Sequence, residues 1–260
     1  MPPPSLCDTS PASGGGRALA LCLALLAGPA GAAELTVFSG GSMAAPLRAA
    51  GADFTRATGV QVHFVTGPTG FIAGKVNAGE PSDVLVVSRE GLAALRAAGK
   101  TAAGAPVPVG RAVIGVAVKA GAARPDISTP EAFRAAILAA RSIADPDPKL
   151  GAASTLYLQT VFARLGIAEA AQAKTQVYAD GAHVAEAVGT GQAELGLTFL
   201  SELSPDKRVA VVGPLPAALQ QAMPYEAQVS ANSREPELAA RFIAFVISAA
   251  ETARFTEGGV

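Results

Sequence analysis

The chain has 260 residues, and its 20 lysines and arginines nearly balance its 21 aspartates and glutamates, giving a formal net charge of −1. Because no basic cluster stands out from this balance, nucleic acid is not an expected partner. The two histidines, His63 and His183, are far apart in the sequence, so a metal site is not expected. No P-loop or dinucleotide fingerprint occurs either, and we expect no cofactor.

The first 33 residues have the pattern of a secretion signal. Arg17 precedes a short apolar run, 18–27, which is too short to span a bilayer, and small residues follow it. Cleavage after Ala32 or Ala33 is expected, which predicts a periplasmic mature protein. No later apolar stretch reaches the length of a membrane span. Both cysteines lie in the segment that would be removed: Cys7 and Cys22.

Strand and helix patterns alternate along the rest of the chain. The short connections predict an α/β fold with mainly parallel sheets and helices on both faces. The alternation restarts after one long predicted strand, Arg111–Lys119, which indicates two lobes with a cleft between them. The other predicted strands are 34–39, 60–65, 83–88, 141–144, one near 177, 194–198, 209–212 and 225–229. The predicted helices are 42–58, 71–78, 92–98, 130–139, 153–165, 182–188 and 236–247, with a short helical piece up to Phe255.

Three loops combine glycine with serine or threonine at a predicted helix start: 39–42 (SGGS), 67–70 (GPTG) and 149–154 (KLGAAS). Open α/β sheets bind ligands where strands end and helices begin. A helix N-terminus offers free N–H groups and a partial positive charge, so it attracts anions. The alternative for each loop is a capped helix without a ligand, with Ser42 as the first N-cap. Three such loops in equivalent positions favour an anion site.

Acidic and basic side chains suited to catalysis are few. Asp83 follows Pro81 and Ser82 at a predicted strand start, and Asp145 precedes Pro146, so both are expected to be structural turn or cap residues. Asp180 and His183 begin a predicted helix, and Glu202 follows a predicted strand; each of these could face the cleft. No nucleophile motif is present, so the sequence does not require an enzyme, and no catalytic residue is assigned.

Several segments together resemble the periplasmic molybdate-binding proteins of ABC importers. They are LTVFSGGSM, FTRATGVQVHFVTGPTG, KVNAGEPSDVLVVS, IADPDPKLGAAS, VGTGQAELGLTF and RFIAFVISAAETARF. The resemblance implies a type II periplasmic binding-protein fold, a monomer, and an ABC permease as partner. It places 34–110 with 226–260 in the first lobe and 111–225 in the second, joined by a hinge of two crossing strands.

In that family an oxyanion is held by hydroxyl and backbone N–H groups without a counter-charge. Two departures, Pro68 for a usual serine and Phe199 for a usual tyrosine, remove donors worth about 1.5–3 kcal/mol each. They count against a tetrahedral oxyanion such as molybdate unless another donor, for which Lys149 is a candidate, replaces them. A carboxylate ligand is the alternative, and it should need Lys149 or an arginine such as Arg89 or Arg111. The ligand-binding residues carried over are Gly41, Ser42, Thr69, Gly70, Lys149, Ala153, Ser154, Gly181 and Phe199.

Three functions fit this resemblance. The first is a binding protein that delivers a small anion, molybdate-like or carboxylate, to its permease. The second is an isomerase on the same scaffold, because periplasmic aconitate isomerases resemble molybdate-binding proteins. Such an enzyme would move a proton across an allylic tricarboxylate with a base taken from four candidates: His183, Asp180, Glu202 and Lys149. The third is a sensory or scavenging domain that has no permease.

Overall fold

The structure is a computed structural model that describes residues 33–248. The predicted signal peptide, its two cysteines and the helical piece up to Phe255 lie outside the described residues. The strands are β1 Glu34–Gly40, β2 Gln61–Gly67, β3 Val84–Ser88, β4 Val107–Ala112, β5 Ile114–Lys119, β6 Ile143–Pro146, β7 Thr175–Tyr178, β8 Leu195–Phe199, β9 Val209–Pro214 and β10 Met223–Val229. The helices are α1 Ala44–Thr58, α2 Thr69–Asn77, α3 Arg89–Ala97, α4 Pro130–Ala139, α5 Ala153–Arg164, α6 Ala168–Gln172, α7 Gly181–Thr190, α8 Leu200–Leu203 and α9 Pro236–Val246.

The strands form two five-stranded sheets, one in each lobe. The first has the order β2-β1-β3-β10-β4 and the second β7-β6-β8-β5-β9. In the first sheet β1 pairs in parallel with β2 and β3, while β10 runs antiparallel to β3 and β4. The second sheet repeats this plan, with β6 parallel to β7 and β8, and β5 antiparallel to β8 and β9. The predicted α/β two-lobed class is confirmed, but both sheets are mixed rather than mainly parallel.

Helices cover both faces of each sheet because strand residues alternate between them. In β3, Val84 and Val86 face a core shared with α1 and α9, whereas Leu85 and Val87 face α2 and α3. In the second lobe, α4, α5 and α6 pack on one face, and α7 and α8 pack on the other. Phe242 of α9 is fully buried and meets Phe54 edge to face at 5.2 Å between ring centroids. Within residues 33–248 no helix has both the length and the apolarity that a membrane crossing needs.

The chain passes between the lobes twice. The first passage is the single residue Val113, between β4 and β5, and the second is the segment 215–222, between β9 and β10. The second passage begins beside the end of the first, because the Leu215 N–H donates a hydrogen bond of 3.2 Å to the carbonyl of Ile114, the residue that follows Val113. Such paired crossings are where binding proteins of two lobes can hinge.

Several sequence expectations need correction. Arg111–Lys119 is not one strand, because Val113 separates two strands that belong to different sheets. Residues 111–112 and 223–225, predicted for the second lobe, lie in strands β4 and β10 of the first sheet. Asp145 is not in a turn: it lies buried in β6 and accepts a hydrogen bond from the Thr155 hydroxyl at 2.8 Å. The predicted helices at 130–139 and 236–247 are confirmed to within one residue.

Candidate functional site: a cavity at four helix starts

A small cavity of about 20 Å³ lies where the two lobes meet. This volume suits about one water molecule, so a larger ligand requires the lobes to separate. No lysine, arginine or histidine lines it among the described residues. The lining residues come from both lobes: Gly41, Gly67, Pro68, Thr69, Pro146, Ala152, Ala153, Ser154, Gly181, Phe199, Glu202 and Tyr225.

The first helix start belongs to the 3₁₀ turn Gly41–Met43, which runs directly into α1. Ser42 was expected to be the N-cap, and this is wrong: Ser42 lies inside the turn, and neither turn nor helix has a side-chain cap. The Ser42 Oγ is buried and has no hydrogen-bond partner. Since a buried hydroxyl without a partner is destabilising, we interpret this hydroxyl as a ligand donor.

The second start is that of α2, where Pro68 is the N-cap residue and provides no side-chain cap. Thr69 is the first helical residue, and its Oγ1 is likewise buried without a partner. Pro68 has no backbone N–H, but it lies ahead of the helix, so the N–H groups of α2 itself are retained. Both lone hydroxyls of the first lobe, Ser42 and Thr69, therefore lie at the starts of helices beside the cavity.

The second lobe contributes the starts of α5 and α7. Ala152 precedes α5 without capping it, and the Ser154 Oγ lies 3.5 Å from the Thr198 Oγ1. Helix α7 begins at Gly181 and is capped by Asp180, whose Oδ1 accepts from the His183 N–H at 3.0 Å. Four helix N-termini thus converge on one cavity, and each adds N–H donors and a partial positive charge.

Tyr225 of β10 adds a phenol that the sequence reasoning missed. Its ring packs edge to face on Phe199, with ring centroids 6.3 Å apart, and its side chain is fully enclosed. Burial raises the pKa of Tyr225 to about 12; the nearby Ser42 and Thr69 hydroxyls offset this in part, although neither makes a hydrogen bond of normal geometry with it. The phenol therefore stays protonated and can donate. It supplies, from another strand, the hydroxyl that Phe199 lacks.

Glu202 places a carboxyl group in this cavity. Its Oε2 accepts a hydrogen bond of 2.5 Å from the Thr198 hydroxyl. A side chain in place of Gly41 or Gly181 would clash with the carboxyl oxygens, so the group lies directly against two helix starts. Burial, with a smaller contribution from Asp180, raises the pKa of Glu202 from 4.5 to about 7, while the Thr198 and Phe199 hydrogen bonds lower it.

The two lobes touch through bare backbone at Gly70 and Gly151. A Cβ added at Gly70 would lie 2.6 Å from the Leu150 carbonyl oxygen and 2.9 Å from the Gly151 Cα. Gly151 also has φ of +67°, a conformation that favours glycine. Glycine at both positions lets the start of α2 approach the loop before α5 closely.

Six of the predicted ligand-binding residues line the cavity: Gly41, Thr69, Ala153, Ser154, Gly181 and Phe199. Ser42 adjoins it through Tyr225, and Gly70 lies at the lobe contact. Lys149 lies elsewhere, with its side chain exposed in the 3₁₀ turn Pro148–Leu150.

The other ionisable candidates have separate partners or positions. Arg89 forms a salt bridge of 2.7 Å with Glu226, and Arg111 is exposed on β4. Asp83 is structural, since it accepts hydrogen bonds from the Thr36 N–H and the Ser233 hydroxyl. His183 is largely exposed and pairs with Asp180 at 2.7 Å. Residues 33–248 contain no group of three or more acidic, histidine or cysteine side chains suited to a metal ion.

The family model for the bacterial extracellular solute-binding protein matches residues 35–260. The chain belongs to this family of solute-binding proteins. It is 30% identical over 220 residues to an aconitate isomerase from a Pseudomonas species, covering 82% of each chain. It is 29% identical over 197 residues to the molybdate-binding protein ModA of Azotobacter vinelandii, covering 74% of each.

The solved periplasmic molybdate-binding protein of Azotobacter vinelandii has the same fold. Its TM-score is 0.74 at 19% identity, with 86% of this chain and 97% of that chain covered. The expected kinship with periplasmic molybdate-binding proteins is therefore confirmed for family and fold.

Gly70→Ala should hinder lobe closure, because the new methyl group meets backbone atoms that cannot rotate away. We expect at least tenfold weaker binding of any small anion that a thermal-shift screen shows to stabilise the wild-type protein. The melting temperature of the ligand-free protein should change little. Isothermal titration calorimetry measures the affinity. Gly74→Ala on the same helix is the matched control, since a Cβ there meets nothing within 4 Å. Equal affinities for both variants would contradict the assigned lobe contact.

Glu202→Gln should change how stability depends on pH. The folded state raises the pKa of this carboxyl to about 7. The protonated carboxyl therefore contributes to the free energy of unfolding fully below about pH 4.5, and this contribution is lost as the pH rises through 7. The variant should therefore gain stability over the wild type between pH 5 and 8, by up to the order of 3 kcal/mol. Urea unfolding at several pH values measures this gain. Glu186→Gln, at an exposed carboxylate of α7, is the control, and a pH-independent difference for Glu202→Gln contradicts the assignment.

Proposed function

We propose that the chain is the periplasmic solute-binding component of an ABC importer and that it captures a small anion in the cavity between its lobes. The observation that carries this proposal is the convergence of four helix starts on a cavity that no basic side chain of residues 33–248 lines. Anions held at helix N-termini need no counter-charge, because N–H groups and the helix dipole supply the attraction. The unpaired Ser42 and Thr69 hydroxyls would complete the donor set.

Closure of the lobes would be the binding step, and no covalent bond would change. The lobes would be 34–112 with 223–248 and 114–214, hinged at the two passages between the sheets. With residues 1–33 as a signal peptide, a monomer would close on its ligand in the periplasm and present both lobes to the permease. The molybdate-binding relative supports an oxyanion as ligand, whereas the aconitate isomerase relative supports a carboxylate.

Ser42→Ala and Thr69→Ala should each weaken anion binding by about ten- to a hundredfold, because one hydrogen bond to a charged ligand is worth about 1.5–3 kcal/mol. The fold should keep its stability, since neither hydroxyl has a partner in the protein. A thermal-shift screen of the mature protein with molybdate, tungstate, sulfate, phosphate, citrate and both aconitate isomers identifies the ligand, because a ligand at 100 times its Kd adds about 2.7 kcal/mol.

Ser82→Ala is the control for these variants. Its buried hydroxyl donates to the Ser230 hydroxyl at 3.0 Å, at the opposite end of the first sheet from the cavity. This variant should lose stability and keep its affinity. Unchanged affinity in both Ser42→Ala and Thr69→Ala would remove the site assignment, and no response to any of the anions would remove the function.

A second function, an allylic isomerase, is favoured by Glu202. A general base works best with a pKa near the operating pH, and burial raises the pKa of this carboxyl to about 7. In such a reaction Glu202 would take a proton from the saturated carbon of an aconitate isomer. The double bond would shift by one carbon, and the proton would return to the far end of the three-carbon unit.

Proton NMR of each aconitate isomer with the mature protein tests this second function. Interconversion of the isomers that is lost in Glu202→Gln and kept in Glu186→Gln would establish catalysis. Tight aconitate binding without interconversion, or the same rate in Glu202→Gln, would leave only the binding function.

A further inference from the structure

The carboxyl group of Glu202 lies among the donors of the anion cavity rather than at its rim. Both carboxyl oxygens lie against helix starts, since a side chain at Gly41 would clash with Oε1 and one at Gly181 with Oε2. These two glycines belong to different lobes. Any anion that reaches the four helix starts therefore meets the Glu202 oxygens as well.

The hydrogen bonds of Glu202 leave room for another donor. The Thr198 hydroxyl has one proton, which it donates to Oε2. A second hydrogen bond comes from the Phe199 backbone. A carboxylate has about four acceptor positions, so these two hydrogen bonds do not saturate it. A ligand group that donates a proton to Glu202 would be favoured, whereas a ligand oxygen with only lone pairs would meet a second acceptor.

Within the part of the chain that the structure describes, no basic side chain is paired with this carboxyl. Among residues 33–248, no salt bridge involves Glu202. The Asp180 carboxylate adds further negative charge near Glu202. Other charged side chains share the adjoining cavity of about 570 Å³ with Asp180 and Glu202: Arg48, Glu186, Asp206, Lys207 and Arg208. Arg208 is already paired with Asp206 at 2.7 Å.

We propose that Glu202 determines ligand specificity, so that the cavity accepts an anion carrying its own O–H donor and rejects tetrahedral dianions that have only acceptors. This inference rests on the proposed anion-binding function and narrows its ligand class. A hydrogen phosphate or a hydroxycarboxylate meets the requirement, with its negative oxygens at the helix starts and its O–H directed to Glu202. Molybdate, tungstate and sulfate do not. A hydroxycarboxylate would extend its other groups into the adjoining cavity, which also contacts Gly41, Gly67 and Glu202.

Two ligand pairs that differ in this O–H group test the proposal by calorimetry at pH 8. Hydrogen phosphate and sulfate are tetrahedral dianions of similar size, and only phosphate carries a proton. Citrate and tricarballylate are tricarboxylates that differ by one hydroxyl. We expect the wild-type protein to bind the O–H member of one pair at least a hundredfold more tightly. The pair that responds shows whether the ligand is an inorganic oxyanion or a hydroxycarboxylate.

Glu202→Gln should reduce that preference to less than tenfold, because the amide can donate to an acceptor-only anion. Glu131→Gln, which removes an exposed carboxylate of α4 that lines neither cavity, should keep the wild-type preference. The wild-type comparison needs no variant, so the test stands even where Glu202→Gln folds poorly.

Three results would overturn the proposal. Equal affinities within both pairs, or tight sulfate or molybdate binding by the wild type at pH 8, would show that Glu202 does not select. A uniform gain for every anion in Glu202→Gln would show that the carboxyl only competes for the helix starts. In each of these cases, weaker anion binding by Ser42→Ala would still support the assignment of the anion site. If the wild-type protein binds no anion at all, the proposed function fails together with this inference.

Discussion

The electrostatics of four converging helix starts constrain the rest of this structure. Each start carries free N–H groups and a partial positive charge, and bringing four of them together is unfavourable without negative charge between them. The chain provides a small part of that charge itself through Glu202, which touches the starts at Gly41 and Gly181. In the proposed function an anion would complete the arrangement, and the two lobes would then remain closed around it.

The fold serves this convergence through its strand order. In each sheet the parallel strands end beside one another, so the helices that follow them begin at the same edge. Strands β10 and β5 run antiparallel to their neighbours and carry the chain between the lobes. Strand β10, which brings the chain back to the first lobe, also places Tyr225 in the cavity. This strand therefore contributes to the hinge, to the first sheet and to the donors of the cavity.

Local patterns sufficed to predict the α/β class and the loops of the site. Glycine next to serine or threonine at a helix start is visible in a few consecutive residues, as at Gly41 and Ser42. Tyr225 could not be found in this way, since its position depends on β10 pairing between β3 and β4. The mixed sheets were missed for the same reason. Glu202 was one of several possible bases, and only its packing against Gly41, about 160 positions earlier in the sequence, distinguishes it.

The prediction for Ser42 was wrong in a way that bears on function. A serine before a helix is most often its cap, with the hydroxyl bonded to the helix backbone. Here Ser42 lies inside the first turn, and its hydroxyl makes no hydrogen bond of normal geometry with any of the residues 33–248. Thr69 shares this property, whereas Ser88 and Thr129 cap their helices in the ordinary way. Hydroxyls that do not cap their own helix remain free to bind a ligand.

A crystal structure of the mature protein with its most stabilising anion tests the central claim most directly. We expect ligand oxygens about 2.7–3.2 Å from backbone nitrogens at the starts of α1, α2, α5 and α7, with the Ser42 and Thr69 hydroxyls donating to them. An anion bound instead among Arg48, Lys207 and Arg208, with no ligand contact at the four helix starts, would contradict it.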